Sequence, residues 1–304
     1  MNDLAHFKSD ELLDNAEKQM LNIYKIALES VSLELVELEK EMKEFDQKPT
    51  MTMIRRNKRL KELQKALSEI IVNANIECKF LLDNDLFPDV YGENYYYAAF
   101  TLESYNKDLE FPVLSSKDIK QVIKKEQTPF EKMAIKKRLN KKVVQGELTN
   151  QLLAGLLIGD SIDGIASKLE RVVEHQYSSF RTIARTETTR LQNSDRKNIA
   201  DYGKKEFGLE LEKEWVATSG GRTRDTHRKA DGQVVGIDED FKVGKGKGQY
   251  PGDIGRAEED INCRCTFIIY EKGTKLKQIT QEQKKFNDWK QRKQIETTQK
   301  RLEQ

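Results

Sequence analysis

Three side chains in the last third of the chain have the chemistry of a metal site. Cys263 and Cys265 form a Cys-x-Cys pair, and His227 is one of only three histidines. Thiolate and imidazole groups are the usual ligands of tetrahedral zinc. Because alternate residues of a strand face the same side, both thiols of such a pair can bind one ion. The pattern therefore permits a zinc site at His227, Cys263 and Cys265, with Asp225 or Asp231 as the fourth ligand.

The same residues have other interpretations. Both thiols can be buried core groups while His227 hydrogen-bonds to a loop carbonyl, or Cys263 and Cys265 can form a disulfide, although that spacing is strained. A metal-dependent nuclease of the HNH kind is a further interpretation, in which a metal polarises a phosphate and His227 activates water. Such a nuclease needs additional His or Asn ligands at set spacing, whereas residues 206–272 contain one histidine.

These residues lie in a segment whose composition differs from the rest of the chain. Eleven of the 17 glycines lie between residues 203 and 255. Strand-like runs occur at 213–218, 233–236 and 265–270, and Trp215 in the first run has the character of a core residue. The pattern predicts a small, loop-rich α+β module over residues 206–272.

The remainder of the chain has the apolar spacing of long helices. Leu13, Ala16, Met20, Ile23 and Ala27 are followed, after a one-residue skip, by a second run from Leu28. Another seam follows Pro49, and its members are Leu60, Leu63, Leu67, Ile70 and Ala74. Two seams separated by a proline predict an antiparallel helical hairpin within residues 1–114. The fold class is thus mostly α with a small C-terminal α+β module.

Two further helical segments complete the predicted organisation. Residues 115–205 form a helical body, with a break near Thr128–Pro129, a helix capped by Ser161 and a separate helix over about 178–203. Residues 273–304 form a charged C-terminal helix. Half of the ten tyrosines lie within residues 91–105, where packing between helices is the favoured interpretation and a protein interface the alternative.

Charge is unevenly distributed along the chain. Residues 115–145 hold ten basic and three acidic side chains, and residues 272–304 hold ten and four, whereas residues 1–47 hold five basic and twelve acidic ones. Such segregation indicates different partners for different segments, with solvated helix faces as the equal alternative. The densest basic run is a candidate for contact with DNA or an acidic protein, and it comprises Arg55, Arg56, Lys58, Arg59 and Lys61.

Several classes of protein are excluded by composition. The longest apolar stretch, residues 152–158, is too short to span a bilayer, and the charged N-terminus is not a secretory signal. Three cysteines in 304 residues cannot form a disulfide framework, and Cys78 has the pattern of a buried apolar residue. Synthesis in a reducing cytoplasm is expected.

Residues 150–270 contain an ordered series of motifs. The series includes a glycine-containing turn before a helix at 159–166 and closes with Asn-Cys-Arg-Cys. It resembles the phage head morphogenesis, or minor capsid, family, whose shared module is called the Mu F-like domain. The residues that carry the resemblance are Arg185, Glu187, Asn193, Trp215, Arg222, Arg224, Asp225, His227, Asp231, Gly232, Phe241, Tyr250, Pro251, Gly252, Asp253, Asn262, Cys263, Arg264 and Cys265. One departure is Ile254, where many relatives have proline.

The resemblance implies a minor head protein that acts by binding and performs no catalysis. The implied partners are the portal protein, the major capsid protein or a scaffolding protein, with non-specific contact to double-stranded DNA in addition; no membrane and no small-molecule substrate are expected. The implied location is the phage head, and the host cytoplasm during assembly. Some relatives carry a fused ADP-ribosylating module, and because residues 273–304 are predicted to be a charged helix, no such module is expected within this sequence.

The polar motif residues have predicted structural roles. Asp253 and Asn262 are expected to close turns through nearby backbone groups. Glu187 is expected to tie the preceding helix to the module. Arg264 is expected to pair with Glu258 or Glu259.

Overall fold

A computed structural model of the chain describes residues 4–42, 57–105, 109–273 and 283–302. The helices are α1 (Leu4–Met42), α2 (Lys58–Leu81), a π-helical turn (Leu82–Leu86), α3 (Phe87–Tyr105), α4 (Ser116–Glu126), α5 (Pro129–Leu139), α6 (Lys141–Ile158), α7 (Ile162–Phe207), α8 (Asp225–Ala230), α9 (Ala257–Asp260) and α10 (Gln283–Leu302). The strands are β1 (Leu211–Val216), β2 (Val234–Gly236), β3 (Phe241–Val243), β4 (Gly246–Gly248) and β5 (Thr266–Glu271). The predicted fold class, mostly α with a small α+β module, is confirmed.

The chain forms two compact units that are not contiguous in sequence. Unit 1 comprises Met1–Asp14, Asp83–Glu126 and Ala184–Gln304, and unit 2 comprises Asn15–Leu82 and Gln127–Ile183. Helices α1 and α7 contribute residues to both units. The division into segments 1–114, 115–205, 206–272 and 273–304 stays a prediction.

Unit 2 contains most of the two helices of the predicted hairpin. The buried residues of α1 in this unit follow one continuous seam, which comprises Ala16, Met20, Tyr24, Ala27, Val31 and Leu35. The prediction of Ile23 and a one-residue skip was therefore wrong, because Tyr24 is buried instead. Its hydroxyl donates a hydrogen bond to Asn75 of α2 at 2.5 Å. In the seam of α2, Ile71 replaces the predicted Ile70. The predicted turn between these helices, at Pro49, lies outside the described residues.

Local capping signals fix several helix boundaries. The Thr128 hydroxyl accepts a hydrogen bond from the Glu131 amide at 3.0 Å, so the predicted break before α5 is confirmed. The Ser161 hydroxyl accepts from the Gly164 amide at 3.2 Å, as predicted for the start of α7. The prediction of two helices after Ser161 was wrong. The 46-residue α7 runs without interruption, because neither glycine nor proline occurs from residue 165 to 202.

Unit 1 contains the α+β module. A three-stranded antiparallel sheet has the order β2-β1-β5, and β3 pairs with β4 in a separate hairpin. The three predicted strands are present, whereas the short β3–β4 hairpin had no sequence signal. Trp215 is fully buried, pairs with Phe267 across the sheet, and meets the Phe241 ring edge-on at 5.4 Å. Trp215 is therefore a core residue, as predicted.

The tyrosine-rich helix α3 is also part of the core of unit 1. Tyr91, Tyr95 and Tyr96 are buried. The hydroxyls of Tyr95 and Tyr96 donate to the carbonyls of Pro112 and Leu114, each at 3.0 Å. The packing interpretation of these three tyrosines is confirmed.

No helix among the described residues combines the length and apolarity that crossing a membrane requires.

Candidate functional site

A stretch of helix α7 is buried although most of its side chains are polar. Ten consecutive or near-consecutive polar residues are buried here, namely Thr186, Glu187, Thr188, Thr189, Arg190, Gln192, Asn193, Ser194, Asp195 and Arg196. A helix buried on most sides is ordinarily apolar, and buried polar groups are costly without hydrogen-bond partners. The hydrogen-bond partners of these side chains show which segments of unit 1 this part of the helix holds in place.

Asn193 joins the helix to two loops of the module. Its amide nitrogen lies 2.8 Å from the Thr189 carbonyl, 3.1 Å from the Pro251 carbonyl and 3.1 Å from the Cys265 carbonyl. Its amide oxygen accepts from the Thr266 hydroxyl at 3.0 Å. One side chain thus holds the Pro251 turn and the start of β5 against α7. An apolar residue at this position could not donate a hydrogen bond to the Pro251 and Cys265 carbonyls.

The Asn-Cys-Arg-Cys segment is fixed to the same helix. The Thr189 hydroxyl donates to the Cys263 carbonyl. The Thr186 hydroxyl accepts from the Asn262 amide at 3.1 Å. Asn262 has a positive φ of 56°, a conformation that asparagine tolerates better than most residues. Asn262 therefore shapes the turn chiefly through its backbone.

Two arginines of α7 are buried with polar partners. The guanidinium of Arg196 donates to the Asn94 side-chain oxygen at 2.8 Å and to the Phe267 carbonyl at 3.0 Å. It thereby joins α3, α7 and β5. Arg190 donates to Glu187 at 2.6 Å within the helix, and the tie from Glu187 to the module stays a prediction. Burial raises the pKa of Asp195 well above its usual range.

The aspartates of the motif series bind backbone amides in turns. Asp253 accepts from the Gln249 amide at 3.0 Å, as expected for a turn-closing residue. Asp231 accepts from the Ala217 amide at 2.8 Å, and the next residue, Gly232, has a φ of 74°. Asp225 is exposed and pairs with Arg228 at 2.7 Å. Neither Asp225 nor Asp231 belongs to the His227 group, so the prediction of a fourth ligand from these two was wrong.

Arg185 and Arg264 complete the motif series. Arg185 is a half-buried residue of α7. Arg264 pairs with Asp10 of α1 at 3.0 Å. The predicted partners of Arg264 were wrong because Glu258 pairs with Arg256, while Glu259 faces His227.

His227, Cys263 and Cys265 come together as predicted. The His227 Nδ1 atom lies 3.2 Å from the Cys265 sulfur and 3.6 Å from the Cys263 sulfur, and all three residues are at most 2% exposed. On the other side of the ring, Nε2 lies 3.0 Å from Glu259 Oε2. Sequence reasoning missed Glu259, although the acidic run directly before the Asn-Cys-Arg-Cys segment was a usable signal.

The pKa values of the two thiols are shifted in opposite directions. A hydrogen bond with Cys263 lowers the pKa of Cys265 to about 5. The same thiol pair and burial raise the pKa of Cys263 well above its usual range. The cluster therefore holds one thiolate readily beside the imidazole. Chemically this is a soft, buried donor set for a cation.

The predicted basic run belongs to a different part of the chain. Lys58, Arg59 and Lys61 are exposed on the first turns of α2, where Lys58 lies 3.7 Å from Glu62. Arg55 and Arg56 lie outside the described residues. The described members of the run are accessible to a partner.

Comparison with known proteins finds the same family that the motif series resembles. Residues 146–268 match the family described as "Phage Mu protein F like protein". The chain is 26% identical over 263 residues to "Minor head protein GP7" of Bacillus phage SPP1, which covers 85% of this chain and 83% of that protein. It is also 34% identical over 179 residues to "NAD(+)--arginine ADP-ribosyltransferase EFV" of Enterococcus faecalis (strain ATCC 700802 / V583). That match covers 58% of this chain and 36% of the relative. No solved structure matches the chain.

Proposed function

We propose that this chain, which belongs to the phage minor head protein family, acts in head morphogenesis by binding the portal protein or the inner surface of the procapsid. A minor head protein is a component of the virion, and it assembles in the host cytoplasm. The major capsid protein and a scaffolding protein are the partners that the procapsid offers. The role needs binding surfaces and no catalysis.

One observation carries this proposal: buried polar side chains of α7 and two aspartates of the module are used in internal hydrogen bonds. Asn193, Arg196 and Thr189 bind backbone carbonyls of the module, and Asp253 and Asp231 bind backbone amides. Catalytic groups instead need access to a reacting atom. The arrangement supports a module whose polar residues hold shape for assembly.

Helix α1 offers a surface that suits a protein partner. Ile26, Leu33 and Val36 are 55%, 72% and 50% exposed. Their spacing of seven and three residues places them on one side of the helix. Apolar residues grouped on an exposed helix face are typical of a helix that binds in a groove of another protein. We propose that this face contacts the portal protein.

The first prediction concerns this face. Leu33→Asp should weaken binding to portal oligomers by about tenfold or more, because a carboxylate is desolvated in an apolar contact. Co-sedimentation of the purified chain with portal rings, at several concentrations, measures the affinity. The matched control is Met133→Asp on α5, where Met133 is 66% exposed, and it should bind as the wild type does. Failure of the wild-type chain to sediment with portal rings or procapsids would contradict the proposed function.

The second prediction separates this role from the nuclease alternative. Plasmid DNA incubated with the full chain and Mg²⁺ or Mn²⁺ should stay intact, because both ring nitrogens of His227 already have partners and the ring is buried. Agarose electrophoresis measures nicking and linearisation. Metal-dependent cleavage that disappears in His227→Ala would establish the nuclease instead.

Contact with packaged DNA is a finer part of the proposal. Lys58, Arg59 and Lys61 are exposed, and lysine and arginine bind phosphates without sequence preference. Retardation of the same plasmid that weakens steeply with salt, and weakens further in Lys61→Glu, supports this contact. Retardation unchanged by that substitution assigns DNA binding to another segment.

A further inference from the structure

We infer that His227, Cys263 and Cys265 bind one zinc ion, which cross-links the Mu F-like module of unit 1. This inference goes beyond the proposed function, because assembly on a portal requires no metal. It concerns the three residues whose ligand atoms all lie within 4.8 Å of one another.

The distances between the ligand atoms fit a tetrahedral ion. Zinc lies about 2.0–2.1 Å from a histidine nitrogen and about 2.3 Å from a cysteine sulfur, so the tetrahedral angle separates nitrogen and sulfur by about 3.5 Å. The observed separations from His227 Nδ1 are 3.2 Å to Cys265 and 3.6 Å to Cys263. An ion therefore needs only small side-chain movements to enter.

Glu259 orients the imidazole for this purpose. With the proton on Nε2, His227 donates to Glu259 Oε2 at 3.0 Å, and the lone pair of Nδ1 points towards the two sulfurs. The Thr226 hydroxyl donates to the same carboxylate oxygen at 2.8 Å and holds it in place. A carboxylate behind a histidine is the usual outer partner of a histidine ligand, because it fixes the tautomer and the ring orientation.

The two thiols are positioned by backbone contacts that do not depend on a metal. The carbonyl of Cys263 is held by Thr189, and the carbonyl of Cys265 is held by Asn193. Both anchors lie on the long helix α7. The donor set is thus preorganised on rigid elements, which lowers the cost of binding an ion.

The ligand types select the metal. Two thiolates and one imidazole favour zinc over magnesium or calcium, which prefer oxygen ligands. The ion would join α8 to the segment before β5 across a loop of 36 residues. Closing a loop of this kind stabilises a module with few apolar residues. A water molecule is the simplest fourth ligand.

The central experiment measures metal content. The full chain, expressed without a histidine tag and purified without chelators, should contain about one equivalent of zinc by elemental analysis. X-ray absorption spectra should show two sulfur ligands at about 2.3 Å and two nitrogen or oxygen ligands at about 2.0–2.1 Å. Less than about a tenth of an equivalent, both as purified and after incubation with zinc, would overturn the inference.

Substitutions then place the ion. Cys263→Ser and Cys265→Ser should each lose the zinc, whereas Cys78→Ser in unit 2 should retain it. If either variant fails to fold, the wild-type chain still provides the test, because modification of its thiols should release zinc in step with the loss of two cysteines. Detection of a Cys263–Cys265 disulfide in the chain as purified would also overturn the inference. Portal co-sedimentation can succeed or fail independently of these results, so the two proposals are distinguishable.

Discussion

Replacing Asn193 with alanine should lower the free energy of unfolding of unit 1 by about 3 kcal/mol. The substitution removes the amide that lies within 3.1 Å of the Pro251 and Cys265 carbonyls and the oxygen that accepts from Thr266. These groups are buried with the side chain, so they lose a partner without gaining water. Each buried polar group left without a partner costs about 1–3 kcal/mol.

Urea denaturation followed by tryptophan fluorescence measures this effect. Both tryptophans, Trp215 and Trp289, belong to unit 1, so the signal reports the unfolding of that unit. Asn198→Ala is the matched control on the same helix. Asn198 is exposed and lies 3.1 Å from Glu126 and 3.4 Å from the Tyr91 hydroxyl, so its loss removes only long contacts and should lower stability by about 1 kcal/mol or less. Equal effects of the two substitutions would show that Asn193 does not organise the module.

The parts of the fold that the sequence predicts correctly depend on neighbouring residues. Ser161 and Thr128 cap helices through amides three residues away. Residues 266–270 are a continuous run of β-branched and aromatic residues, and glycines at 208 and 273 lie just outside the strands over 211–216 and 266–271. The meeting of His227 with Cys263 and Cys265 is instead indicated by residue type, because imidazole and thiolate groups are ligands of one ion. Information of this range is present in a short window of sequence.

The sequence-based predictions that were wrong concern interactions between residues that are distant in sequence. Tyr24 belongs to the α1 seam although tyrosine is commonly half-buried, and its contacts with Asn75 and Tyr177 accompany its burial. The partner of Arg264 is Asp10, near the other end of the chain. The role of Glu259 depends on which nitrogen of His227 faces the sulfurs. Spacing along the chain carries no signal for the first two pairings, and the acidic run around Glu259 marks that residue without identifying its partner.

The buried polar stretch of α7 links these observations to the proposed role. Its side chains bind carbonyls of loops that have little regular secondary structure of their own. A loop-rich module with few apolar residues gains a defined shape from such a template. In an assembly protein, a defined shape is what a partner surface requires. The proposed role in assembly therefore depends on the contact between α7 and the Pro251–Asp253 turn.

That contact predicts a second large effect, at Gly252. Gly252→Ala should destabilise unit 1 by about 3 kcal/mol or more, through two separate causes. Gly252 has a φ of 95°, which an L-residue adopts only with strain, and an added Cβ would lie 3.0 Å from the Arg190 Cα and 3.2 Å from its amide nitrogen. Because the obstructing atoms belong to the backbone of α7, no side-chain rotation relieves the contact.

Gly255→Ala separates the two causes. Gly255 also has a positive φ, 73°, but an added Cβ would meet nothing within 4 Å, so the cost should be the conformational one alone, about 1–2 kcal/mol. The difference between the two variants in urea denaturation then measures the close approach of the turn to α7. A Gly252→Ala variant no less stable than Gly255→Ala would show that the turn can move away from the helix. The polar stretch of α7 would then not act as a rigid template, and the shape of the module would have to come from its small sheet and its cluster of His227, Cys263 and Cys265.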